Sequence, residues 1–189
     1  GGQVETRFGA QPVDHQQVGG GKCQDVHQAV VLEFKTPDLQ QNRIAWNHEA
    51  PDYAARAPRS WAAEPSWGIW GIPEAELQLL PHVAEWDVLE AGCGTAYVSA
   101  WLARRGARPI GLDNSPAQLA TARRMQVEFE IHFPLLQGFA ERLPFRDESF
   151  DMVISEYGAA IWSDPYRWIP EAARVLRPGG ELLFLGNST

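Results

Sequence analysis

Gly92 and Gly94 stand one residue apart, after the apolar pair Val88-Leu89 and the acid Glu90, and before the helix-like run 97–105. Glycines in a strand-to-helix turn let backbone amides approach a ligand without a Cβ in the way. Three ligand classes use such a turn: a dinucleotide, a nucleoside triphosphate and a sulfonium nucleoside. The dinucleotide fingerprint needs a further glycine three residues on, and position 97 is Tyr. A phosphate loop needs Lys followed by Ser or Thr, and this stretch has neither. The Glu90 carboxylate repels a pyrophosphate and suits a ligand that carries an ammonium and a sulfonium. S-Adenosylmethionine carries both. Asp113, 19 residues after Gly94, ends a second strand-like run and can accept both hydroxyls of a ribose. A nicotinamide site holds its ribose in the same way, so Asp113 alone does not choose between them. Its other reading is a turn residue before Ser115-Pro116.

These residues need elements to hold them. From Trp86 the pattern is regular. "WDVLEAG" reads as a buried strand, and "AYVSAWLARRG" as a helix with Val98, Trp101 and Leu102 on one face and Gly106 at the C-cap. "RPIGLD" is a second strand. "SPAQLATARRM" opens a helix with Ser115 at the N-cap and Pro116 at its first position. "IHFPLLQG" is a weaker third strand, because Pro134 disfavours a central place. "SFDMVIS" is a fourth. A helix in "YRWIPEAARVLRPGG" is stopped by Pro178-Gly179-Gly180, and "ELLFLGN" is a fifth strand. Strands alternating with helices predict an α/β, Rossmann-like, doubly wound and mainly parallel sheet over residues 86–189.

Residues 38–85 read as a helical, aromatic-rich cap or lid. Trp46, Trp61, Trp67 and Trp70 fall here with Tyr53, and Pro51, Pro58, Pro65 and Pro73 are expected to cut the segment into short pieces. The aromatics either pack a helical layer onto the core or close over a ligand. "IPEAELQLL" is a short amphipathic helix with Pro73 in its first turn. Residues 1–37 are expected to be a disordered tail whose only apolar patch is "AVVLEF".

Composition narrows the partners. Lys and Arg number 16 against 24 Asp and Glu, a net charge of −8, which repels phosphate backbones and argues against nucleic acid. Arg104-Arg105 and Arg123-Arg124 read as solvated faces. Two cysteines in unrelated contexts give neither a disulfide framework nor a metal spacing, so no metal is expected and a reducing compartment is. No run approaches the ~18 apolar residues of a membrane span. The N-terminus lacks a signal-peptide core, so a cytoplasmic placement is expected. The chain starts with Gly and stops after a strand-like run, the signature expected of a fragment.

Four stretches in order, "VLEAGCGTA", "GLDNS", "GFAERLPFRDESFDMVIS" and "EAARVLRPGGELLF", cover about residues 86–186. In them the chain resembles the class I S-adenosylmethionine-dependent methyltransferases of small-molecule type, similar to those of ubiquinone and menaquinone biosynthesis. The resemblance implies that Glu90, Gly92, Cys93 and Gly94 border the methionine part of the cofactor. It implies that Asp113, followed by Asn114, holds the ribose, that Phe139, Ala140 and Glu141 flank the adenine, and that Ser155 lies beside the sulfonium. In this family the residue before Ala140-Glu141 is usually Asp or Asn, which bonds the adenine amino group. Phe139 leaves stacking or a backbone bond. The family's sheet also closes with two more strands after the fifth, and the chain ends before them.

Methyl transfer from a sulfonium is an in-line displacement, so the protein must mainly align its reactants in a dry pocket. A base is needed only for a protonated acceptor. Glu156, just past the fourth strand, is the best-placed candidate, with a helix-cap or ion-pair role as its alternative. His48 is the second, with a plain surface histidine as its alternative. Trp46, Tyr53 and Tyr157 are candidate substrate or lid residues. "SEYG" at 155–158 stands where DNA amino-methylating enzymes of this fold carry an Asn-Pro-Pro-Tyr-like turn. The aromatics, with Trp162, Tyr166 and Trp168, point to an apolar or aromatic small-molecule acceptor. Two readings stand beside methyl transfer. One is a non-catalytic or truncated cofactor-binding domain. The other is a nicotinamide-dependent oxidoreductase, which Tyr97 and Glu90 disfavour. The acceptor atom and the oligomeric state leave no signature in the sequence.

Overall fold

A computed structural model describes residues 37–186. The tail expected at 1–37, with its apolar patch, lies outside the described residues apart from Pro37. The elements follow in chain order. Helix α1 runs Pro37–Ala62, and the two-residue strands β1 (Ser66–Trp67) and β2 (Ile72–Pro73) pair antiparallel. Helix α2 (Glu74–Leu77) is one turn, with Pro73 at its N-cap. Then come β3 (Asp87–Ala91), α3 (Tyr97–Arg104), β4 (Arg108–Asp113), α4 (Pro116–Phe129) and β5 (Leu135–Gln137). Strand β6 (Phe150–Glu156), α5 (Ala159–Trp162), α6 (Pro165–Val175) and β7 (Leu176–Leu185) complete the chain.

The five long-range strands form one parallel sheet in the order β5-β4-β3-β6-β7. This is the Rossmann-like sheet that the alternation predicts. Four of the five residues of β3 are buried, as a central strand covered on both faces requires. Alternate residues serve opposite layers. Leu89, Leu112 and Val153 pack with Trp168, Ala172 and Val175 of α6. Val88, Met152 and Ile154 pack with Val98, Trp101 and Leu102 of α3 and with Trp67. Each large apolar side chain so buried stabilises the fold by about 1.5–3 kcal/mol. Strand β5 is short and half-buried at the sheet edge, where Pro134 places it. The chain winds outward from β3 to β5, then returns to lay β6 on the other side of β3. That reversal is the switch point beside which open α/β sheets bind ligands.

Two local expectations are corrected. Pro51 and Pro58 do not cut their segment: α1 is one helix of 26 residues with both inside it. Each interior proline withholds an N–H, here from the carbonyls of Asn47 and Ala54, and costs about 3 kcal/mol. Docking offsets that cost. Ala57 and Trp61 are buried against Leu119, Ala122 and Met125 of α4. The Trp61 Nε1–H donates to the Thr95 carbonyl at 2.8 Å, and the Trp101 Nε1–H donates to the Ser60 carbonyl at 3.2 Å. The second correction concerns the helix before the fifth strand. It ends at Val175, ahead of Pro178-Gly179-Gly180, because Leu176 is already extended and pairs with Phe150. The Pro-Gly-Gly run forms a bulge in β7, with Gly179 at φ +81°. Arg177 ties that bulge to Asp87 and Asp151 at 2.8 and 2.7 Å.

Candidate active site

A cavity of about 260 Å³ opens outside the carboxyl ends of β3, β4, β5 and β6. Its floor is the turn after β3. Gly92 and Cys93 both donate their N–H groups to the Leu112 carbonyl, at 2.8 and 3.0 Å, which pins the turn to β4. The two glycines then part in role. A Cβ on Gly92 would sit 2.4 Å from the Ala159 nitrogen, so this position lets the β6–α5 turn pass close by. A Cβ on Gly158 would sit 2.2 Å from the Gly92 carbonyl oxygen, so the close approach is mutual. Gly94, at φ +51°, has nothing within 4 Å of its missing Cβ, and it lines the cavity.

Glu90, Asp113, Glu141 and Glu156 line the cavity, and among the described residues no Lys, Arg or His does. Glu90 is 2% exposed. Its Oε2 accepts the Ser99 N–H at 2.8 Å and the Ser99 hydroxyl at 2.5 Å. Ser99 is in the first turn of α3, whose N-cap, Ala96, has no capping side chain, so Glu90 serves as a remote cap. Burial pushes the Glu90 carboxyl up to about 8, against the Ser99 bonds that favour the ion. Asp113 is raised by burial too, opposed by backbone donors. Its Oδ2 accepts Gly94 N–H at 2.8 Å and its Oδ1 accepts Ser115 N–H at 2.7 Å. The turn role and the cavity-facing position therefore coexist, since each carboxylate oxygen has a second lone pair.

Glu156 ends β6 and receives two donors. The Gly68 N–H, from the β1–β2 turn, bonds Oε1 at 3.1 Å, and the Tyr97 hydroxyl bonds Oε2. Burial, then the Glu156 charge, raises the Tyr97 phenol far above its usual range, so it stays a donor. Tyr157, at φ +51°, lies over Gly68, its hydroxyl 3.5 Å from where a Cβ would be. Such a backbone is uncommon for a bulky residue, and Tyr157 also lines the cavity.

Helix α1 and α5 supply the roof. Trp46 makes edge-to-face contacts with Tyr53 at 5.5 Å and Trp162 at 4.9 Å, and the Asn42 amide donates to the Trp162 carbonyl at 2.8 Å. All four line the cavity. The aromatic segment thus divides: Trp61 and Trp67 fill the core, Trp46 and Tyr53 face the cavity, and Trp70 is 83% exposed.

The structure gathers Glu90, Gly92, Cys93, Gly94, Asp113, Asn114, Phe139, Ala140, Glu141, Glu156, Tyr157, Trp46 and Tyr53 around one space. It leaves out two candidates. Ser155 is fully buried behind the wall, where its hydroxyl donates to the Ala91 carbonyl at 2.8 Å and accepts the Ala160 N–H at 3.1 Å. His48 has an 86% exposed side chain and meets only Glu49, at 3.2 Å. Cys93 points its sulfur toward Gly111, and burial pushes its thiol up, so it is a packing residue of the floor. Sequence reasoning missed Gln118, Gly158 and the Tyr97–Glu156 bond. Gly158 had a signal, a glycine just after a strand tip. The others join residues distant in sequence.

The fold and the cavity at its switch point define a class, the Rossmann-like α/β proteins that hold a small ligand over a strand-to-helix glycine turn. The family described as "Methyltransferase domain" matches residues 89–184. A demethylmenaquinone methyltransferase of Chlorobaculum parvum is 38% identical over 115 residues, which cover 60% of this chain and 46% of that protein. An uncharacterized methyltransferase of Mycobacterium bovis is 40% identical over 116 residues, covering 61% and 45%. The crystal structure of an S-adenosylmethionine-dependent methyltransferase from Mesorhizobium loti matches with TM-score 0.53 and 28% identity, covering 62% of this chain and 54% of the other. The chain belongs to the methyltransferase-domain family, on the fold of the S-adenosylmethionine-dependent enzymes. It spans about half the length of the curated relatives it matches.

Proposed function

We propose that the chain transfers a methyl group from S-adenosylmethionine to a small, uncharged, apolar or aromatic acceptor. One observation carries the reading: a cavity at the switch point lined by four acidic side chains and no cationic one among the described residues, under an aromatic roof. That lining fits a cofactor bearing an ammonium and a sulfonium, and it disfavours anionic acceptors. Bound there, the cofactor would supply an electrophilic methyl group on sulfur.

The residues would divide the work. Glu90 would face the ammonium and ionise as it does so. Asp113, with Asn114 beside it, would accept the ribose hydroxyls, and Phe139, Ala140 and Glu141 would border the base. Trp46, Tyr53 and Trp162 would exclude water, which strengthens every charge interaction inside. Glu156 would accept a proton from a hydroxyl-bearing acceptor, held in place by Tyr97 and Gly68. The name of the Chlorobaculum relative offers demethylmenaquinone, an apolar ring compound, as a first acceptor to try.

The test is transfer of label from S-[methyl-³H]adenosylmethionine to reduced demethylmenaquinone and to neutral phenols, each beside a carboxylated counterpart. Label in the neutral acceptors is expected, and Glu156→Gln should lower turnover by ~10²-fold or more. Label confined to the carboxylated compounds contradicts the charge argument.

A further inference from the structure

Gln118 lines the cavity although it is only 2% exposed. It sits in the first turn of α4, where its backbone N–H donates to the N-cap Ser115 hydroxyl at 3.2 Å. Its side chain is a different matter: Oε1 is buried and has no hydrogen-bond partner. Buried amide oxygens are nearly always paired in folded proteins, so this one calls for an explanation.

The neighbouring donors are already committed. The Ser115 hydroxyl donates to Asn47 Oδ1 at 2.7 Å, and the Ser115 N–H donates to Asp113 at 2.7 Å. The Ala117 N–H also points to Asn47 Oδ1, at 3.5 Å. Phe139 and Ala140 line the same cavity and carry no polar side-chain atom. None of these donors reaches Gln118 Oε1, whose amide borders the cavity, and a bound ligand is a further source of donors.

We propose that the Gln118 carboxamide reads the edge of the cofactor's adenine, accepting from the 6-amino group and donating to an adjacent ring nitrogen. This rests on the methyl-donor reading above. Of the three kinds of donor that cofactor carries, the ammonium is matched by Glu90 and the ribose hydroxyls by Asp113. The 6-amino group is left, and a primary amide is the side chain whose paired donor and acceptor match an adenine edge. Gln118 is thus a specificity residue for the base, placed on a helix rather than on the 138–141 turn.

The test uses two ligands and two forms of the full chain. S-Adenosylhomocysteine and its 6-deamino analogue, in which hydrogen replaces the amino group, are titrated calorimetrically into the wild type and into Gln118→Met. The wild type should prefer the adenine ligand by about tenfold or more, as sites with a buried hydrogen-bonding group do. The variant should bind the adenine ligand about tenfold more weakly and lose the preference to within about twofold. Its unliganded form should melt at a higher temperature, since an unpaired buried amide has been removed. A preference that survives in Gln118→Met, or a wild type that does not discriminate, overturns the assignment and leaves the cofactor reading standing. A folded wild type that binds neither ligand overturns both. If the methionine variant fails to fold, Gln118→Leu serves the same comparison.

Discussion

An alanine at position 92 and an alanine at position 94 should fail for different reasons. At Gly92 the new Cβ meets backbone at 2.4 Å and the φ of +74° is strained as well, so the β6–α5 turn must move. We expect a loss of roughly 3 kcal/mol or more, seen as a fall in Tm of about 6–12 °C for a chain of this size. At Gly94 there is open space, and only the left-handed backbone costs, about 1 kcal/mol. Gly94→Ala should melt within a few degrees of wild type yet bind S-adenosylhomocysteine more weakly, because its methyl enters the cavity. Equal melting of the two variants would contradict the division of roles. Glu90 gives a second residue-level prediction. Its folded-state value of about 8 lies above the ordinary carboxyl value of 4.5. Its proton is therefore held by the fold and absent from the unfolded chain between those values, so the stability this group contributes falls as pH rises from about 4.5 to 8. A ligand ammonium set beside the carboxyl reverses the balance. Binding of S-adenosylhomocysteine near pH 6.5 should release close to one proton, read from its heats in buffers of different ionisation enthalpy, and Glu90→Gln should abolish the release. Both glycines and the acid, all three of which the structure places at the cavity, were legible as a strand-to-helix turn. Which glycine serves packing was not, because Gly158 reaches Gly92 only through the sheet.

The elements carry the next level of cause. Strand and helix positions from β3 to β6 followed from periodicity and caps: Ser115 and Pro116 start α4 as their types require, and Pro134 sends β5 to the edge. Helix α1 did not follow, since prolines are local signals and its docking is not local. Trp61 and Ala57 hold it to α4, and Asn47 accepts the Ser115 hydroxyl. If docking is what sustains α1, then Pro51, which is exposed, remains a local cost. Pro51→Ala restores an N–H to the helix and should raise Tm, by about 1–3 kcal/mol of stability, in a thermal melt. A lower Tm would mean that the proline shapes a bend the docking needs. The same docking places Trp46 over the cavity, so α1 joins core and roof in one rigid piece.

At the scale of the molecule, the parallel sheet and the acidic character were written in the chain, and the strand order with its switch point came from the structure. The alternation of elements prescribes the sheet, and the sheet brings Glu90, Asp113 and Glu156 to the same end. What the sequence could not show is which of those acids face water and which face one another's donors. The Tyr97–Glu156 bond spans 59 residues and the Gly68–Glu156 bond 88. Among the described residues no helix is long and apolar enough to cross a membrane.

The central claim is that this acidic cavity holds the nucleoside and amino-acid parts of a sulfonium methyl donor. It is tested most directly by titration calorimetry of the 189-residue chain with S-adenosylhomocysteine, with NAD as the competing ligand. The account predicts one site of micromolar affinity for S-adenosylhomocysteine and no comparable binding of NAD. A chain that melts cooperatively but does not bind S-adenosylhomocysteine, or that binds NAD more tightly, would contradict it.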